Sequence, residues 1–369
     1  MSTPDAGFSA LLGISWGHRR RNHDIADARR YAGNAFLDAA RTPEMNAIVD
    51  PNGPTLAVVP SNPVPEGARV GYFETTDRTR LRYALFPRHR DTPARGTVCL
   101  IHGRAEYIEK YFETIADFQK RGFAVATFDW RGQGGSQRLA GTKRLGHVRD
   151  FDDYWVDLNS FHRSILLPDS PAPYYLVGHS MGGLVALNAG ARDRMMFERL
   201  FLSAPMLAID GQPLGLNGTA ALARVLSWVG LGRLPVGRST DRQQSEKSFA
   251  GNPLTSDRAR YMRAVEIIRA RPDLAVGSPS LRWVAAAFRA MAEAATDRYP
   301  GSVRIPTLML AAARDRVVST AAIETLGLRM RTGRHLVIAG AQHEMFMDTN
   351  PIRGQVFAAF DAFVTEPSV

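Results

Sequence analysis

The chain has 369 residues, of which 45% are hydrophobic and 22% are charged, a composition typical of globular proteins. Its formal net charge is +10, so nucleic acid, acidic substrates and anionic membranes are the partners to consider. No basic stripe interleaved with aromatic residues accompanies this charge, which argues against nucleic acid. No apolar run approaches the ~20 residues of a membrane-spanning helix. Because the N-terminal residues show no secretory pattern, we expect a cytoplasmic protein.

Residues 1–66 are predicted to form an extension ahead of the main domain. Helical periodicity is present over residues 24–37. Prolines then recur at positions 43, 51, 54, 60, 63 and 65, and such a density stops regular structure. We therefore expect an extended arm or linker over residues 42–66.

From residue 70 the pattern becomes an alternation of strands and helices. Residues 71–74 and 79–86 alternate like a half-buried antiparallel hairpin. Short apolar runs typical of buried parallel strands follow, and helical segments separate most of them. The runs span residues 97–101, 123–128, 174–177, 199–203, 306–312 and 335–339, and the helices span 107–121, 151–166 and 183–192. This order predicts an α/β fold with a mostly parallel central sheet flanked by helices.

A gap of about a hundred residues without a clear buried strand interrupts this alternation, and it is too long for a plain loop. It contains amphipathic stretches at 220–229, 256–269 and 280–295. We interpret residues 206–300 as a helical cap, or lid, inserted into a core formed by residues 67–205 and 301–369. The cap is basic, because residues 205–300 hold twelve arginines and one lysine against eight acidic residues.

The strongest catalytic signal is the sequence Gly-His-Ser-Met-Gly at residues 178–182, between a predicted strand and a predicted helix. An abrupt turn from strand to helix strains the serine backbone and lifts its hydroxyl clear of the sheet. Glycines two positions before and after the serine leave room for that turn. Ser180 is therefore the predicted nucleophile. The helix start leaves the backbone N–H of Met181 free to stabilise an oxyanion.

A serine nucleophile needs a base, and the base needs an orienting carboxylate, in the chain order Ser, Asp or Glu, His. Two histidines come well after the nucleophile: His335 opens the last predicted strand, whereas His343 follows it. We therefore predict His343 as the base. Asp315 follows the preceding strand in the same manner and is the predicted acid. The alternatives are Asp297, inside the insertion, and Asp348, beyond the base.

A second oxyanion donor is expected from the loop after the first buried strand, where His102 and Gly103 precede Arg104. Glycine lets the backbone come close to a substrate, so the N–H of Arg104 is the predicted partner of the Met181 N–H. The Arg104 side chain has two interpretations. It contacts a substrate anion, or it is a solvent-facing or structurally paired arginine.

Other polar residues near these motifs are interpreted as structural. His102 precedes the base in the wrong chain order, and His179 occupies the variable position of the turn. One group resembles a metal cluster in sequence: His147, Asp150, Asp152 and Asp153. Adjacent carboxylates on a helix point in different directions, and capping of a helix start explains them. We predict no metal and no cofactor.

These residues closely resemble the monoacylglycerol lipase and bacterial lysophospholipase group of the α/β-hydrolase superfamily, from about residue 70 to residue 363. The segments that carry the resemblance are 102–107, 129–136, 146–148, 151–154 and 178–183, with 252–255 and 277–284 similar to the lysophospholipase branch. The resemblance implies an α/β-hydrolase fold whose cap forms an acyl-chain tunnel. It also implies an ester of glycerol or a glycerophospholipid as substrate. Arg104 and Trp283 are the predicted substrate contacts.

The sequence thus predicts a serine hydrolase that cleaves a lipid ester, a lysophospholipid or a monoacylglycerol, through an acyl-enzyme on Ser180. Arginine at 104 and the basic cap favour a phosphate-bearing substrate. An acyltransferase or thioesterase with the same triad is the first alternative, because an alcohol or thiol can replace water without changing a motif. A non-catalytic lipid-binding module is the second. A further hypothesis is peripheral contact with an anionic membrane at its inner face.

Overall fold

The computed structural model describes residues 53–141, 144–209, 215–236 and 249–365. The helix expected over 24–37, and most of the predicted extension, lie outside these ranges. The strands are β1 (Arg69–Glu74), β2 (Arg80–Phe86), β3 (Thr97–Ile101), β4 (Ala124–Phe128), β5 (Tyr174–His179), β6 (Arg199–Ser203), β7 (Thr307–Ala312) and β8 (Gly333–Ile338). The helices are α1 (Phe112–Lys120), α2 (Asp152–Phe161), α3 (Leu167–Asp169), α4 (Met181–Arg192), α5 (Gly215–Trp228), α6 (Arg258–Ala270), α7 (Leu281–Ala294), α8 (Tyr299–Ser302), α9 (Thr320–Arg329) and α10 (Asn350–Thr365).

The described strands form one sheet in the order β1-β2-β4-β3-β5-β6-β7-β8. β1 and β2 are an antiparallel hairpin, and β2 is also antiparallel to β4. All the remaining neighbours are parallel. Every residue of β3, β6 and β7 is buried, as expected for central strands covered by helices on both faces. The predicted hairpin and the mostly parallel sheet are therefore confirmed.

The last strand departs from the prediction of a buried strand over residues 335–339. β8 begins earlier, at Gly333, and lies at the edge of the sheet, where it pairs with β7 alone. Leu336 and Val337 are 46% and 43% exposed. Apolar content alone does not distinguish an edge strand from a central one, because the position of a strand depends on what pairs with it.

The parallel strands bring three loops to the same edge of the sheet. β5 turns into α4 at Ser180, β7 leads to Asp315, and β8 leads to His343. The carboxyl ends of parallel strands share one edge, which is where open α/β sheets bind their ligands. The topology therefore brings together residues that are far apart in the chain.

The described residues between β6 and β7 contain α5, α6, α7 and the short α8, and no strand. α6 lies against the described part of the predicted arm. Ala57 and Val59 share a buried apolar cluster with Ile267 and Ile268 of α6. None of the helices in the described ranges is long and apolar enough to cross a membrane.

Candidate active site

The turn at the end of β5 holds Ser180 in an unusual backbone conformation. Its φ of 52° and ψ of −115° lie where side chains are strained, as in other sharp strand-to-helix turns that carry a nucleophile. A Cβ at Gly182 would lie 2.7 Å from the carbonyl oxygens of both Ile101 and His102, so glycine is required there. The Ser180 N–H donates to the Ser203 carbonyl at 3.0 Å and fixes the turn against β6.

The structure brings the three predicted catalytic residues into one hydrogen-bonded chain. His343 Nε2 lies 3.0 Å from Ser180 Oγ, and His343 Nδ1 lies 2.8 Å from Asp315 Oδ2. Asp315 Oδ1 accepts from the backbone N–H groups of Val317 and Val318 at 2.8 and 3.0 Å. Burial opposes ionisation of Asp315, but the His343 bond and these backbone donors outweigh it and lower the pKa of the carboxyl. Asp315 is thus an ionised acceptor that orients the imidazole.

The two alternative acids are engaged elsewhere. Asp297 is fully exposed and forms an ion pair with Arg329 at 2.7 Å. Asp348 is buried, and its Oδ2 accepts from the Gln342 N–H at 3.2 Å while its Oδ1 accepts from the Thr349 N–H at 2.8 Å. Both carboxylates contact other groups, so Asp315 is the one of the three candidates that contacts His343.

The loop after β3 contains one backbone N–H that forms no hydrogen bond with the described residues. The Gly103 N–H donates to Glu106 Oε2 at 2.5 Å, and the Ala105 N–H donates to Gln133 Oε1 at 2.6 Å. Between them, the N–H of Arg104 has no hydrogen-bond partner among the described residues. The N–H of Met181, the first residue of α4, is one of the donors that every helix start leaves unpaired. This arrangement leaves the two predicted donors available for an oxyanion.

A buried ionic cluster that sequence reasoning missed lies beside this loop. Lys110 Nζ donates at 2.6 Å to Oε1 of both Glu106 and Glu344, and the Tyr111 hydroxyl donates to Glu106 Oε2 at 2.8 Å. Although burial opposes it, the Lys110 ammonium holds the pKa of Glu106 well below its usual range. Glu344 directly follows His343, so the cluster joins the loop of the oxyanion donors to the loop of the base.

His179 and His102 are held by protein groups. His179 Nδ1 lies 3.1 Å from the Ser203 carbonyl oxygen, and its ring centroid is 4.9 Å from that of His343. Burial lowers the pKa of His179 to about 4, against the opposing effect of Glu106. His102 Nε2 lies 3.3 Å from Asp129 Oδ1. His179 is therefore neutral at pH 7 and adds no positive charge beside His343.

The cavity in front of Ser180 has a volume of about 440 Å³, within the range of small-molecule sites. Apolar side chains from several elements line it, including Met206, Leu254, Phe288 and Met291. Phe288 and Met291 belong to α7, so the segment between β6 and β7 forms part of the wall. An apolar wall of this kind suits an alkyl chain.

Arg104 and Trp283 both lie on this wall. One Nη of Arg104 donates to the Gly277 carbonyl, and the guanidinium lies 5.2 Å from the Trp283 ring centroid. The Trp283 Nε1–H donates to the Tyr154 hydroxyl at 2.9 Å. Burial lowers the pKa of Arg104 to about 10, and Arg104 Nε is buried without a hydrogen-bond partner.

The histidine and aspartates near residue 150 contact protein groups. His147 Nδ1 lies 2.9 Å from Ser280 Oγ, Asp150 pairs with Arg289 at 2.5 Å, and Asp152 pairs with Arg192. Across the described part of the chain, no group of three or more His, Cys, Asp or Glu side chains is arranged to hold a metal ion.

A family model and a bacterial lysophospholipase resemble this chain over most of its length, and a monoacylglycerol lipase resembles a third of it. The family model described as "Serine aminopeptidase, S33" matches residues 92–350. Lysophospholipase L2 of Escherichia coli (strain K12) is 31% identical over 315 residues, which cover 79% of this chain and 86% of that protein. Monoacylglycerol lipase of Mycolicibacterium smegmatis is 37% identical over 123 residues, which cover 33% of this chain and 42% of that protein.

The fold is shared with solved structures of more distant sequence. A soluble variant of monoglyceride lipase from Saccharomyces cerevisiae, in complex with a substrate analog, superposes with a TM-score of 0.64 at 20% identity and covers 85% of this chain and 98% of that chain. At this identity the likeness shows the fold alone. The family match and the lysophospholipase match carry the assignment: the chain belongs to the α/β-hydrolase superfamily and, within it, to the serine aminopeptidase S33 family together with the bacterial lysophospholipases and monoacylglycerol lipases.

Proposed function

We propose that this protein hydrolyses carboxylic esters of lipids through an acyl-enzyme on Ser180, with lysophospholipids as the substrate class. One observation carries the proposal. The chain of Ser180, His343 and Asp315, with contacts of 3.0 and 2.8 Å, opens onto a largely apolar cavity of about 440 Å³. The identity with lysophospholipase L2 supports the same activity.

The proposed reaction has two steps. His343 Nε2 takes the proton of Ser180 Oγ as that oxygen attacks the ester carbonyl carbon. The resulting oxyanion accepts hydrogen bonds from the N–H groups of Arg104 and Met181. His343 then gives its proton to the leaving glycerol oxygen. In the second step His343 takes a proton from water as the water oxygen attacks the acyl carbon. The bond from that carbon to Ser180 Oγ then breaks, His343 returns the proton to Oγ, and the fatty acid leaves.

The side chain of Arg104 favours a phosphate-bearing substrate. Three buried arginines have carboxylate partners: Arg82 pairs with Glu109 and Asp129, Arg131 with Asp77 and Asp157, and Arg353 with Asp117. Arg104 pairs with no carboxylate in the described ranges, although burial lowers its pKa to about 10. A charge that is partly removed from water and lacks a counter-ion is costly. A phosphate oxygen of the substrate would supply the missing anion through charge-assisted hydrogen bonds.

Two substrates with the same acyl chain, a lysophospholipid and a 1-monoacylglycerol, test this proposal. Arg104→Gln keeps the backbone N–H but removes the charge. We expect kcat/KM for the lysophospholipid to fall about tenfold or more, and kcat/KM for the monoacylglycerol to change little. Equal losses on both substrates would contradict a phosphate contact.

Ser180→Ala tests the chemistry itself. It should abolish release of fatty acid and labelling by a fluorophosphonate probe. A variant that still cleaved a short-chain p-nitrophenyl ester at the wild-type rate would end the account. Product analysis with an added alcohol or thiol separates hydrolysis from acyl transfer, because only the acceptor of the acyl group differs.

We also propose a peripheral contact with an anionic membrane. Exposed apolar side chains cluster on α5 and the turn after it: Val225, Trp228, Val229, Leu231 and Leu234. Val225 and Trp228 are three residues apart and lie on one face of α5, and Trp228 is 87% exposed. Arg224 and Arg233 are exposed in the same segment. Aromatic and basic residues on one surface suit the interface of an anionic bilayer.

A further inference from the structure

A second cavity, of about 540 Å³, lies away from Ser180. One wall is formed by residues that precede or begin α2, including Arg131, His147 and Arg149. The other wall comes from the end of α5, the turn after it and the start of α7, with Arg233 and Arg282. Four arginines and two aspartates line this cavity, so it carries an excess of positive charge.

The arginines of this cavity differ in how they are neutralised. Arg131 is buried between Asp77 and Asp157, with contacts of 2.7 Å to each. Its charge is balanced inside the protein. Arg149 is 73% exposed, and its nearest carboxylate, that of Asp153, is 3.8 Å away. The positive charge of Arg149 is therefore only weakly compensated.

Arg233 and Arg282 have no carboxylate partner within the described ranges. Arg282 Nε donates to the Arg149 carbonyl at 3.2 Å, which brings the backbone of one arginine to the side chain of the other. Burial, followed by the charges of Arg233 and Arg282, lowers the pKa of His147. Arg233 and Arg282 line the same cavity as His147. Like charges gathered without an anion repel one another.

We propose that this cavity binds a phosphate group through Arg149, Arg233 and Arg282. A guanidinium presents two parallel N–H donors that match the spacing of phosphate oxygens. Three such groups around one cavity can share the oxygens of a single phosphate. The volume of about 540 Å³ leaves room for the organic part of a phosphate ester.

The phosphate can come from a soluble ester or from the headgroup of a phospholipid. Gly230, Gly232 and Arg233 of the cavity follow directly after Trp228, the most exposed residue of the apolar surface of α5. A headgroup at the membrane surface would therefore lie next to the cavity if that surface meets a bilayer. The site does not depend on the chemistry at Ser180, so it stands or falls separately from the proposed esterase activity.

The site is also connected to the active-site wall. His147 Nδ1 lies 2.9 Å from Ser280 Oγ, and the same Ser280 oxygen accepts from the Trp283 N–H at 3.1 Å and caps α7. Trp283 lines the catalytic cavity. Two hydrogen bonds, from His147 to Ser280 and from Ser280 to Trp283, therefore connect a phosphate bound beside His147 to the wall of the catalytic cavity.

Calorimetric titration of the full chain with inorganic phosphate, at constant ionic strength against chloride, tests the site. We expect saturable binding of phosphate by the wild type. The double variant Arg233→Gln/Arg282→Gln should bind at least about tenfold more weakly, because charge-assisted bonds are lost. Both side chains are exposed, so the variant should fold, and each single variant gives the same test with a smaller effect. Arg269→Gln is the control, since it removes one exposed cap arginine outside the cavity.

Vesicles distinguish the two sources. If binding to phosphatidylglycerol vesicles is weakened by the double variant and is competed by inorganic phosphate, the ligand is a headgroup. If phosphate binds but the vesicle affinity of the double variant equals that of Arg269→Gln, the ligand is a soluble ester. Equal heats with phosphate and chloride, or a double variant that binds phosphate as well as the wild type, would overturn the proposal.

Discussion

Two regions of the molecule differ in whether their charged side chains form ion pairs. At the carboxyl edge of the sheet, charged groups other than Arg104 are paired, as in the contacts of 2.6 Å that Lys110 makes with Glu106 and Glu344. In residues 215–236, here called the α5 region, Arg224 and Arg233 are exposed and form no ion pair with described residues. Trp228 beside them is 87% exposed. The triad and the Lys110 cluster are therefore held together by contacts within the chain, whereas the exposed arginines and Trp228 of the α5 region are the kind of side chains that bind a partner.

The first prediction tests whether Asp315 orients His343 at the sheet edge. Asp315→Asn keeps the shape of the side chain but no longer enforces the His343 tautomer that accepts the Ser180 proton. We expect kcat on a short p-nitrophenyl ester to fall roughly 10⁴-fold. Asp297→Asn is the matched control, since Asp297 is fully exposed and should leave kcat unchanged. A small loss for Asp315→Asn, or a comparable loss for Asp297→Asn, would remove Asp315 from the mechanism.

The second prediction concerns Glu106, whose carboxylate holds the Gly103 N–H at 2.5 Å. Glu106→Gln weakens the contact with Lys110 and lets the loop that carries the Arg104 N–H shift. Because a displacement of about 1 Å can cost on the order of 100-fold, we expect kcat to fall about 10- to 100-fold with little change in KM for a short ester. Glu198→Gln, on an exposed side chain, is the control. An increase in KM alone would mean that Glu106 contacts substrate rather than positions the loop.

The sequence predicts well those features that follow from local backbone geometry. A serine flanked by glycines between a strand and a helix leads to one turn, and the observed φ of 52° at Ser180 is that turn. Asp315 and His343 were identifiable because they follow parallel strands, whose carboxyl ends meet at one edge. Chain order and strand pattern were therefore enough to bring three distant residues together.

The sequence analysis missed the features that depend on contacts between distant parts of the chain. Glu106 and Lys110 are four residues apart, which suggests only an ordinary helical pair. Their third partner, Glu344, is 234 residues from Lys110 and is brought to it by the fold. The edge position of β8 was missed for the same reason. Contacts between residues that are far apart in the chain cannot be read from the sequence pattern around any one of them.

The third prediction uses the pH dependence of unfolding at the sheet edge. Burial lowers the pKa of His179 from 6.5 to about 4, so the unfolded chain takes up this proton before the folded chain does. The stabilisation is fully present above pH 6.5 and is lost as pH falls towards 4, by up to about 3 kcal/mol. Urea unfolding at pH 7 and pH 4.5 should show a smaller loss for His179→Gln than for the wild type. Identical losses would mean that the buried edge tolerates a charged histidine.

The smallest effect is expected in the α5 region. Trp228→Ser should weaken binding to vesicles that contain anionic lipid by about tenfold, since burying a large apolar side chain contributes on the order of 2 kcal/mol. Leu328→Ser is the matched control, because Leu328 is 79% exposed but lies on α9. Added salt should weaken the wild type and both variants, because the basic residues remain. Cleavage of a short soluble ester should be unchanged in both variants, because neither Trp228 nor Leu328 lines the catalytic cavity. If Leu328→Ser weakened vesicle binding as much as Trp228→Ser, the contact would not be specific to the α5 region. The α5 region would then have no special role in binding a partner, and the difference drawn between it and the sheet edge would not hold.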